Sequence, residues 1–249
     1  TVIDIAHHRF DLTNVHPIEA TESGPSALRL ALAAGVLCND GDLRHEEDGT
    51  PTTIGDPTET ALLQVAHEAG LDIAAIRRLM PRIAENPFDS DRKRMSTLHG
   101  PIDGRVEALA GLPHDAPIAF LKGAIDGLLA SSTHIWADEG AVELTDEWRE
   151  RVLGANDSMA SNGMRVLAIA YRTVDGAHEA HVAEQELTLL CLVGIIDPPR
   201  AEVRDAVATC LSAGIRPVMI TGDHPLTAKA IATDLGITTT GQVLTGGDL

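Results

Sequence analysis

Aromatic residues are scarce in this sequence, so the position of each one is informative. The 249 residues include three Phe, two Trp and one Tyr. One of the three Phe, Phe88, stands in the segment ENPFDSDRKRMSTLHG, among acidic and basic side chains. Its ring is either an anchor in an apolar core or a platform on which a flat, charged ligand stacks. The local sequence leaves both interpretations open.

Long apolar runs are also lacking, although 44% of the residues are apolar and can form a core in one large domain or two smaller ones. No stretch approaches the roughly 20 residues of a membrane-spanning helix. The longest run, LTLLCLVGII, predicts a buried strand. The first residues do not show the pattern of a signal peptide, and we therefore expect none.

Motifs that bind metals or form disulfides are missing as well. The three cysteines, Cys38, Cys191 and Cys210, are far apart and form no CxxC motif. Their apolar surroundings predict buried thiols in a reducing compartment. The eleven histidines form no HExxH motif, and no metal site is predicted.

Basic residues are few: 19 Lys and Arg stand against 37 Asp and Glu, for a net charge of −18. This balance argues against nucleic acid as a partner, because nucleic-acid binding depends on basic surfaces. Residues 77–105 depart from this acidic charge balance, because they contain seven basic and four acidic side chains. We call this window the basic island. The basic island is either a binding site for a small anion or a result of the ordinary scatter of charge on a protein surface.

The first part of the sequence mixes helical and strand patterns, which is typical of an α+β domain. The clearest helix lies in GDPTETALLQVAHEAG. There Asp56 is the expected N-cap, and Pro57 and Glu59 are the first and third positions of an approximate capping box. Gly70 marks its expected end. Two further helices are predicted in SGPSALRLALAAGVLCND and TDEWRERVLGANDSMASNG, and strands in TVIDIA, MSTLHG, PIAFLKG, MRVLAIAYRTV and LTLLCLVGII.

The pattern changes after DPPR, residues 197–200. A predicted helix, AEVRDAVATCLSAG, is followed by a predicted strand, IRPVMIT, and by a second helix that ends at Gly236. This alternation is typical of a parallel sheet with crossover helices, whose ligands gather at the carboxyl ends of strands. Thr221, Gly222 and Asp223 lie at such an end, where a helix N-terminus favours phosphate. A loop with a helix cap explains the same tripeptide.

Several motifs together carry a resemblance. In order along the sequence they are LCND, GDPTETALL, PFDSDRKRMS, LKGA, GMRVLAIAYR, VGIIDPPR and AGIRPVMITGDHPLTAKAIATDLGI. The set resembles the P-type cation-transporting ATPases, and specifically their calcium-pump-like branch.

The resemblance implies two domains. Residues 1–196 are similar to the family's α+β nucleotide-binding domain, an antiparallel sheet with helices. Residues 197–249 are similar to part of its phosphorylation domain, an α/β haloacid-dehalogenase-like (Rossmann-type) fold. The implied hinge between them consists of Asp197, Pro198, Pro199 and Arg200.

The resemblance also assigns an ATP site. It implies that Phe88 stacks on adenine, that Glu59 accepts a hydrogen bond from the adenine amino group, and that Lys122 lines the pocket. The other implied contacts are Gly123 for close approach, Leu167 against adenine, Arg165 at the phosphates, and Thr221, Gly222 and Asp223 around the phosphates. The alternatives that involve no ligand are a capping role for Glu59 and a surface position for Lys122.

Two departures from the family pattern affect this site. Ser90 stands where the calcium-pump branch often has an arginine, which removes one expected phosphate contact. Arg92 or Lys93 is expected either to compensate or to belong to a solvated face, and we include Lys93 in the predicted ATP site. The usual KGAPE reads KGAID, with Ile125 and Asp126 in place of Pro and Glu, which alters a turn more than the chemistry.

Two further family motifs are absent: the DKTGT that contains the phosphorylated aspartate and the GDGxNDxP that holds Mg²⁺. We therefore expect a fragment that binds ATP or ADP but has no catalytic residue of its own and is inactive alone. The resemblance implies a full-length hydrolase and translocase at the cytoplasmic face of a membrane. That protein uses ATP and Mg²⁺ and contains actuator and transmembrane domains, while the fragment itself is expected to be soluble.

The transported cation is expected to be calcium, from similarity to the branch alone. Two other classes stay open at this point. One is a free-standing nucleotide-sensing module, and the other is a soluble haloacid-dehalogenase-type phosphatase, which needs an aspartate nucleophile that the sequence does not show.

Overall fold

The computed structural model describes residues 1–5, 8–11, 26–46, 48, 50–102, 109, 111–113, 115–137, 140–174, 184–196, 199–238 and 243–244. The helices in these ranges are α1 (Ser26–Leu37), α2 (Pro57–Glu68), α3 (Ile73–Leu79), α4 (Ile125–Ala130), α5 (Asp146–Ser161), α6 (Ala201–Ser212) and α7 (Pro225–Asp234). The strands are β1 (Val2–Ile5), β2 (His8–Asp11), β3 (Asp42–His45), β4 (Pro51–Ile54), β5 (Arg82–Asp89), β6 (Arg94–His99), β7 (Ile118–Gly123), β8 (Ser132–Ala137), β9 (Gly140–Glu143), β10 (Arg165–Thr173) and β11 (Leu187–Ile195).

The chain divides into two compact units. The first consists of Thr1–Val152 and Leu167–Val193, and the second of Leu153–Val166 and Gly194–Leu249. The predicted domain boundary between residues 196 and 197 stays a prediction. Of the four predicted hinge residues, Asp197 and Pro198 lie outside the described residues, and Arg200 is the N-cap of α6.

A nine-stranded sheet dominates the first unit, with the order β2-β1-β11-β10-β7-β6-β5 and with β8 and β9 attached beside β11. The pairs β1–β2, β5–β6, β6–β7, β7–β10 and β8–β9 are antiparallel, and β8 runs parallel to β11. A separate hairpin joins β3 and β4. This arrangement confirms the predicted antiparallel sheet with helices.

Helix α1 packs between the sheet and α2. Its residues from Leu30 to Leu37 are all buried, because small and apolar side chains occupy every face of the helix. A Cβ atom on Gly35 would lie 3.5 Å from Leu62 of α2 and 3.7 Å from Ile169 of β10. Under these helices every residue of β7 is buried, including Lys122. The sequence predicts this strand, and only the packing shows that its lysine lies inside.

One prediction about local structure is wrong, and a second is confirmed only in part. The predicted strand IRPVMIT has no strand conformation, and Ile220 within it is 95% exposed. A strand needs a hydrogen-bonded neighbour, and in the described part of the second unit none lies beside this segment. The predicted capping box is only half formed: Asp56 accepts from the Thr58 N–H at 2.8 Å, while the Glu59 carboxylate binds groups other than the N-cap.

The remaining helix predictions are confirmed, and Cys38 and Cys191 are buried free thiols as predicted, whereas Cys210 is only partly buried. None of the described helices is long and apolar enough to cross a membrane. Helix α3 and the hairpin of β3 and β4 were not predicted, because their short segments show no clear periodicity.

His99 in β6 is a buried, hydrogen-bonded core residue. It is 2% exposed, its Nδ1 lies 2.8 Å from the Met80 carbonyl oxygen, and its Nε2 lies 3.0 Å from the Thr97 hydroxyl. The edge of its ring also faces Phe120, with centroids 5.8 Å apart. Burial lowers the pKa of the His99 imidazole to about 4. The folded protein therefore holds this ring neutral under conditions in which an unfolded histidine is protonated.

We predict that His99 makes the protein less stable as the pH falls from about 6.5 to about 4. In this window the unfolded state binds a proton that the folded state does not, so the unfolding free energy declines by up to roughly 1.4 kcal/mol per pH unit. Urea unfolding at a series of pH values measures the slope. His99→Gln should flatten it, whereas His134→Gln, at an exposed histidine, should keep it. Parallel curves for wild type and His99→Gln would contradict the prediction.

Candidate functional site

The predicted ATP-site residues fall into two groups, one in each unit. The first unit contains Glu59, Phe88, Lys93, Lys122, Gly123 and Leu167, and the second contains Arg165, Thr221, Gly222 and Asp223.

Glu59 and Lys122 form an ion pair at the centre of the first group. Glu59 lies in the first turn of α2, and Lys122 reaches it from the buried strand β7, so that Nζ binds Oε1 of the carboxylate. The two side chains are only 15% and 8% exposed, respectively. This burial excludes a surface position for Lys122, and its place in a nucleotide pocket stays a prediction.

The segment after α1 completes the surroundings of Glu59. Its Oε2 accepts a hydrogen bond from the backbone N–H of Asp40 at 3.0 Å. The buried Asn39 donates to the carbonyl oxygens of Gly35 at 3.1 Å and of Glu59 at 2.9 Å, which ties the end of α1 to the first turn of α2. Sequence reasoning used LCND only as part of a motif and did not identify the role of Asn39.

Phe88 is not a core residue. It lies near the end of β5, the edge strand of the sheet, and is 66% exposed. One strand, β6, separates β5 from the strand that carries Lys122. The exposure removes the core interpretation of Phe88 and leaves its ring accessible. Stacking on adenine stays a prediction.

The turn between β5 and β6, residues 90–93, begins two residues after Phe88. Asp89 fixes this turn locally: its Oδ1 accepts from the N–H groups of Asp91 at 3.0 Å and Arg92 at 2.9 Å, and its carbonyl oxygen accepts from Lys93 at 2.7 Å. Lys93 has a positive φ of 52°, which is uncommon for a residue with a side chain. The backbone here is thus held in one specific conformation.

Gly123 allows the β5–β6 turn to pack against β7. A Cβ atom on Gly123 would lie 2.5 Å from the Lys93 carbonyl oxygen and 2.6 Å from the Cβ of Arg94. The same Lys93 oxygen accepts a hydrogen bond from the Ala124 N–H at 2.9 Å. The group that lies close to Gly123 is therefore the neighbouring backbone, and the close approach of a nucleotide to Gly123 stays a prediction.

Part of the charge of the basic island is paired with acidic side chains of the first unit. Arg82 pairs with Asp40 and Glu85, both at 2.6 Å, and Arg77 donates to the Gly41 carbonyl oxygen at 2.9 Å. The side chain of Lys93, by contrast, is 64% exposed and lies 3.9 Å from Asp126. The small-anion interpretation thus applies to fewer cations than the sequence indicates.

Arg92 and Arg94 share one acidic partner that sequence reasoning missed. Glu184 precedes β11 and pairs with Arg92 at 2.6 Å and with Arg94 at 2.8 Å. Burial by itself raises the pKa of the Glu184 carboxyl, but hydrogen bonds from Arg94, Arg92 and Ser96 outweigh it and lower the pKa below its ordinary value. Because Arg92 is engaged here, Lys93 is the better candidate to compensate for Ser90.

In the second unit, Arg165 is linked to the segment Thr221–Asp223. Its Nε and one terminal nitrogen lie 3.2 Å and 2.9 Å from Oδ1 of Asp223, and Oδ2 accepts from the Thr221 hydroxyl at 2.7 Å. The hydrogen bond from Thr221 and the Arg165 charge lower the pKa of the Asp223 carboxyl. Gly222 is exposed, and a Cβ atom at this position would meet no other segment within 4 Å. Leu167, in β10 of the first unit, is partly buried.

Comparison with known proteins identifies relatives that match most of the chain. The model of the family described as "P-type ATPase, cytoplasmic domain N" matches residues 27–202. Calcium-transporting ATPase 1 of Lactococcus lactis is 37% identical over 234 residues, which cover 93% of this chain and 25% of that protein.

Two further relatives are similar to nearly the same extent. Cation-transporting ATPase pma1 of Synechocystis is 40% identical over 223 residues, 88% of this chain and 23% of that protein. Probable cation-transporting ATPase F of Mycobacterium tuberculosis strain H37Rv is 40% identical over 234 residues, 90% of this chain and 24% of that protein. The chain spans about a quarter of the length of these curated relatives.

Proposed function

Because the chain belongs to the P-type ATPases and contains their cytoplasmic N domain, we propose that it is the ATP-binding part of a membrane pump that couples ATP hydrolysis to cation transport. The observation that carries this proposal is the combination of an exposed ring at Phe88 with the ion pair of the partly buried Glu59 and the buried Lys122 in the same unit. The relatives are themselves named as cation-transporting or calcium-transporting ATPases, which favours a pump over a free-standing sensor or a soluble phosphatase.

Adenine recognition is the first part of the proposal. A base stacked on Phe88 gains roughly 1–3 kcal/mol. An ionised carboxylate has about four acceptor positions on its two oxygens. Glu59 uses one oxygen for Lys122 and the other for the Asp40 N–H, so each oxygen keeps capacity for a further donor. The adenine amino group can bind there without breaking either existing contact.

Phosphate recognition is the second part. Lys93 presents an exposed ammonium group close to Phe88 in sequence, and Arg165 presents a guanidinium group that is half exposed. A phosphate would compete with the Asp223 carboxylate for Arg165, and charge-assisted hydrogen bonds of this kind contribute about 1.5–3 kcal/mol each. Mg²⁺ would accompany ATP in the full-length enzyme, and calcium is the cation we propose for transport. Uptake of labelled calcium by vesicles that contain the full-length protein tests whether calcium is the transported cation.

We predict that the chain binds ATP or ADP weakly, with a Kd of roughly 0.1–3 mM. The Phe88 ring is open to solvent, and the chain carries a net charge of −18, which repels an anionic ligand. Phe88→Ala should weaken binding about tenfold or more, because it removes the stacking surface. Calorimetry or NMR titration measures the affinity.

The matched control is Ile83→Ala, which removes an apolar side chain that is 52% exposed on the same strand. It should leave the affinity for ATP unchanged. If the wild-type chain gives no adenine-dependent signal at about 10 mM nucleotide, the proposed ATP site is wrong.

We predict that the chain neither hydrolyses ATP nor becomes phosphorylated by itself. Phosphoryl transfer depends on a nucleophile held in line with the γ-phosphate and on charge stabilisation, often by Mg²⁺. The sequence contains neither a DKTGT nor a GDGxNDxP motif, and the predicted site residues only hold the nucleotide. The measurement is incubation with γ-labelled ATP and Mg²⁺, followed by an acid quench. Retained label, or more phosphate release than from Phe88→Ala, would reveal a nucleophile that this interpretation overlooks.

The division of the chain is the last part of the proposal. Residues 1–196 would be the nucleotide-binding domain and residues 197–249 a part of a haloacid-dehalogenase-like phosphorylation domain, with 197–200 as the hinge. The separation of Gly194–Leu249 from most of the preceding chain supports a boundary near this point. Pro198 and Pro199 restrict φ, so we predict that bending is confined to the flanks of DPPR. The test compares nucleotide-free and nucleotide-bound structures of the full-length protein. If the two structures superpose as one rigid body across 197–200, the hinge prediction is wrong.

A further inference from the structure

Glu184 is a buried carboxylate, and its hydrogen-bond donors among the described residues come from one hairpin. Its side chain is 8% exposed. Oε1 accepts from Arg92 at 2.6 Å and from the Ser96 hydroxyl at 2.8 Å, and Oε2 accepts from Arg94 at 2.8 Å. Asn86 lies 3.4 Å from Oε1 and donates to Ser96 at 2.9 Å. Glu184 therefore contacts β5, β6 and the turn between them, although it lies about ninety positions further along the chain.

These contacts lead directly to two residues of the proposed ATP site. Arg92 bridges from Glu184 to the Pro87 carbonyl oxygen, to which it donates at 2.8 Å. Pro87 immediately precedes Phe88, and Arg92 immediately precedes Lys93. The bridge thus spans the base of the turn, and both residues that would meet the nucleotide are adjacent to its ends.

We propose that Glu184 is a positioning residue of the nucleotide site, which holds the β5–β6 turn so that Phe88 and Lys93 are presented in a fixed arrangement. The inference rests on the proposed ATP-binding function. Glu184 itself is buried behind the hairpin residues that it contacts, and no contact with nucleotide is assigned to it. Its effect on binding is exerted through Arg92.

The charges explain why the turn should respond when Glu184 is altered. Without the carboxylate charge, the guanidinium groups of Arg92 and Arg94 lose the anion that they share and repel each other. Their side chains are only 34% and 17% exposed, respectively. A partly buried charge that loses its partner is destabilising until it regains contact with water. Arg92 lies in an exposed turn, so the simplest relief is for the turn to move and hydrate the guanidinium. That movement would displace Phe88 and Lys93.

A competing explanation is that Asp89 holds the turn alone. Its carboxylate and carbonyl oxygens accept three hydrogen bonds from the turn backbone, from Asp91, Arg92 and Lys93. In that case neutralising Glu184 would lower global stability but leave the local order of the turn and the ATP affinity unchanged. The two explanations therefore differ in measurable ways.

The experiment compares Glu184→Gln with Glu186→Gln in the 249-residue chain. Glu186 carries the same charge two residues later, is 72% exposed and pairs with Arg172 at 3.0 Å, away from the hairpin. Amide hydrogen exchange of the ligand-free protein reports the order of the turn, and calorimetric titration with ATP reports affinity. We expect Glu184→Gln to speed exchange at Arg92 and Lys93 by about tenfold or more and to weaken ATP binding about 3- to 10-fold. Glu186→Gln should change neither.

A double variant tests whether Glu184 acts through Phe88. When two residues act through one contact, their effects on free energy are not additive. In the Phe88→Ala background, Glu184→Gln should therefore weaken ATP binding by a smaller factor than in the wild type, because only the presentation of Lys93 is left to lose. The Lys93→Met background tests the other route in the same way. Full additivity in both backgrounds would show that Glu184 acts on binding through neither residue, which overturns the inference.

The outcomes separate this inference from the function on which it rests. A wild-type chain that binds no ATP overturns the proposed function, and the exchange measurement still decides whether Glu184 orders the turn. Unchanged exchange in Glu184→Gln, or ATP affinity within about twofold of a wild type that binds, overturns the inference. If Glu184→Gln does not fold, Arg92→Met removes the bridge while the pair of Glu184 and Arg94 remains, and the same two readouts apply.

Discussion

The burial of one lysine constrains the architecture of the first unit. Lys122 lies in a strand whose residues are all buried, and an ammonium group in such a place is costly unless it is paired and hydrogen-bonded. Glu59 supplies the partner from the first turn of α2, and the Asp40 N–H satisfies the other oxygen of that carboxylate. Since this pairing requires the first turn of α2 to lie within reach of β7, the ion pair constrains where α2 begins relative to the sheet. The same requirement brings two of the proposed nucleotide contacts together.

Charge neutralisation within the fold shapes the rest of the proposed site. The basic island suggests an anion-binding surface, yet Arg82, Arg92 and Arg94 are paired with acidic residues of the same unit. What remains for a ligand is a small number of groups in defined places, with Lys93 as the exposed cation of the turn. We therefore expect the proposed site to discriminate by geometry more than by total charge, which suits a chain that is strongly acidic overall.

Backbone geometry matters as much as side-chain chemistry at the β5–β6 turn. The positive φ of Lys93 and the contact of its carbonyl oxygen with the Ala124 N–H require that β7 end in a residue without a side chain, and Gly123 meets this need. Gly123 therefore belongs to the motif for a steric reason within the protein. In the LKGA motif, the buried charge of Lys122 is thus followed directly by Gly123, which has no side chain and leaves room for the neighbouring backbone.

Local patterns in the sequence determined much of this protein: the helices with their caps and apolar periodicity, the long apolar strands, and the ordered motifs that identified the family. These features are local because a cap, a period or a motif is complete within a few residues. Tertiary structure alone decided that Lys122 is inside, that Phe88 is outside, that Glu59 binds Lys122 and Asp40 instead of its own N-cap, and that Glu184 pairs with arginines far away in the chain. It also decided that IRPVMIT is not a strand, because strand conformation depends on a neighbouring strand to pair with, and no pattern within seven residues can supply one.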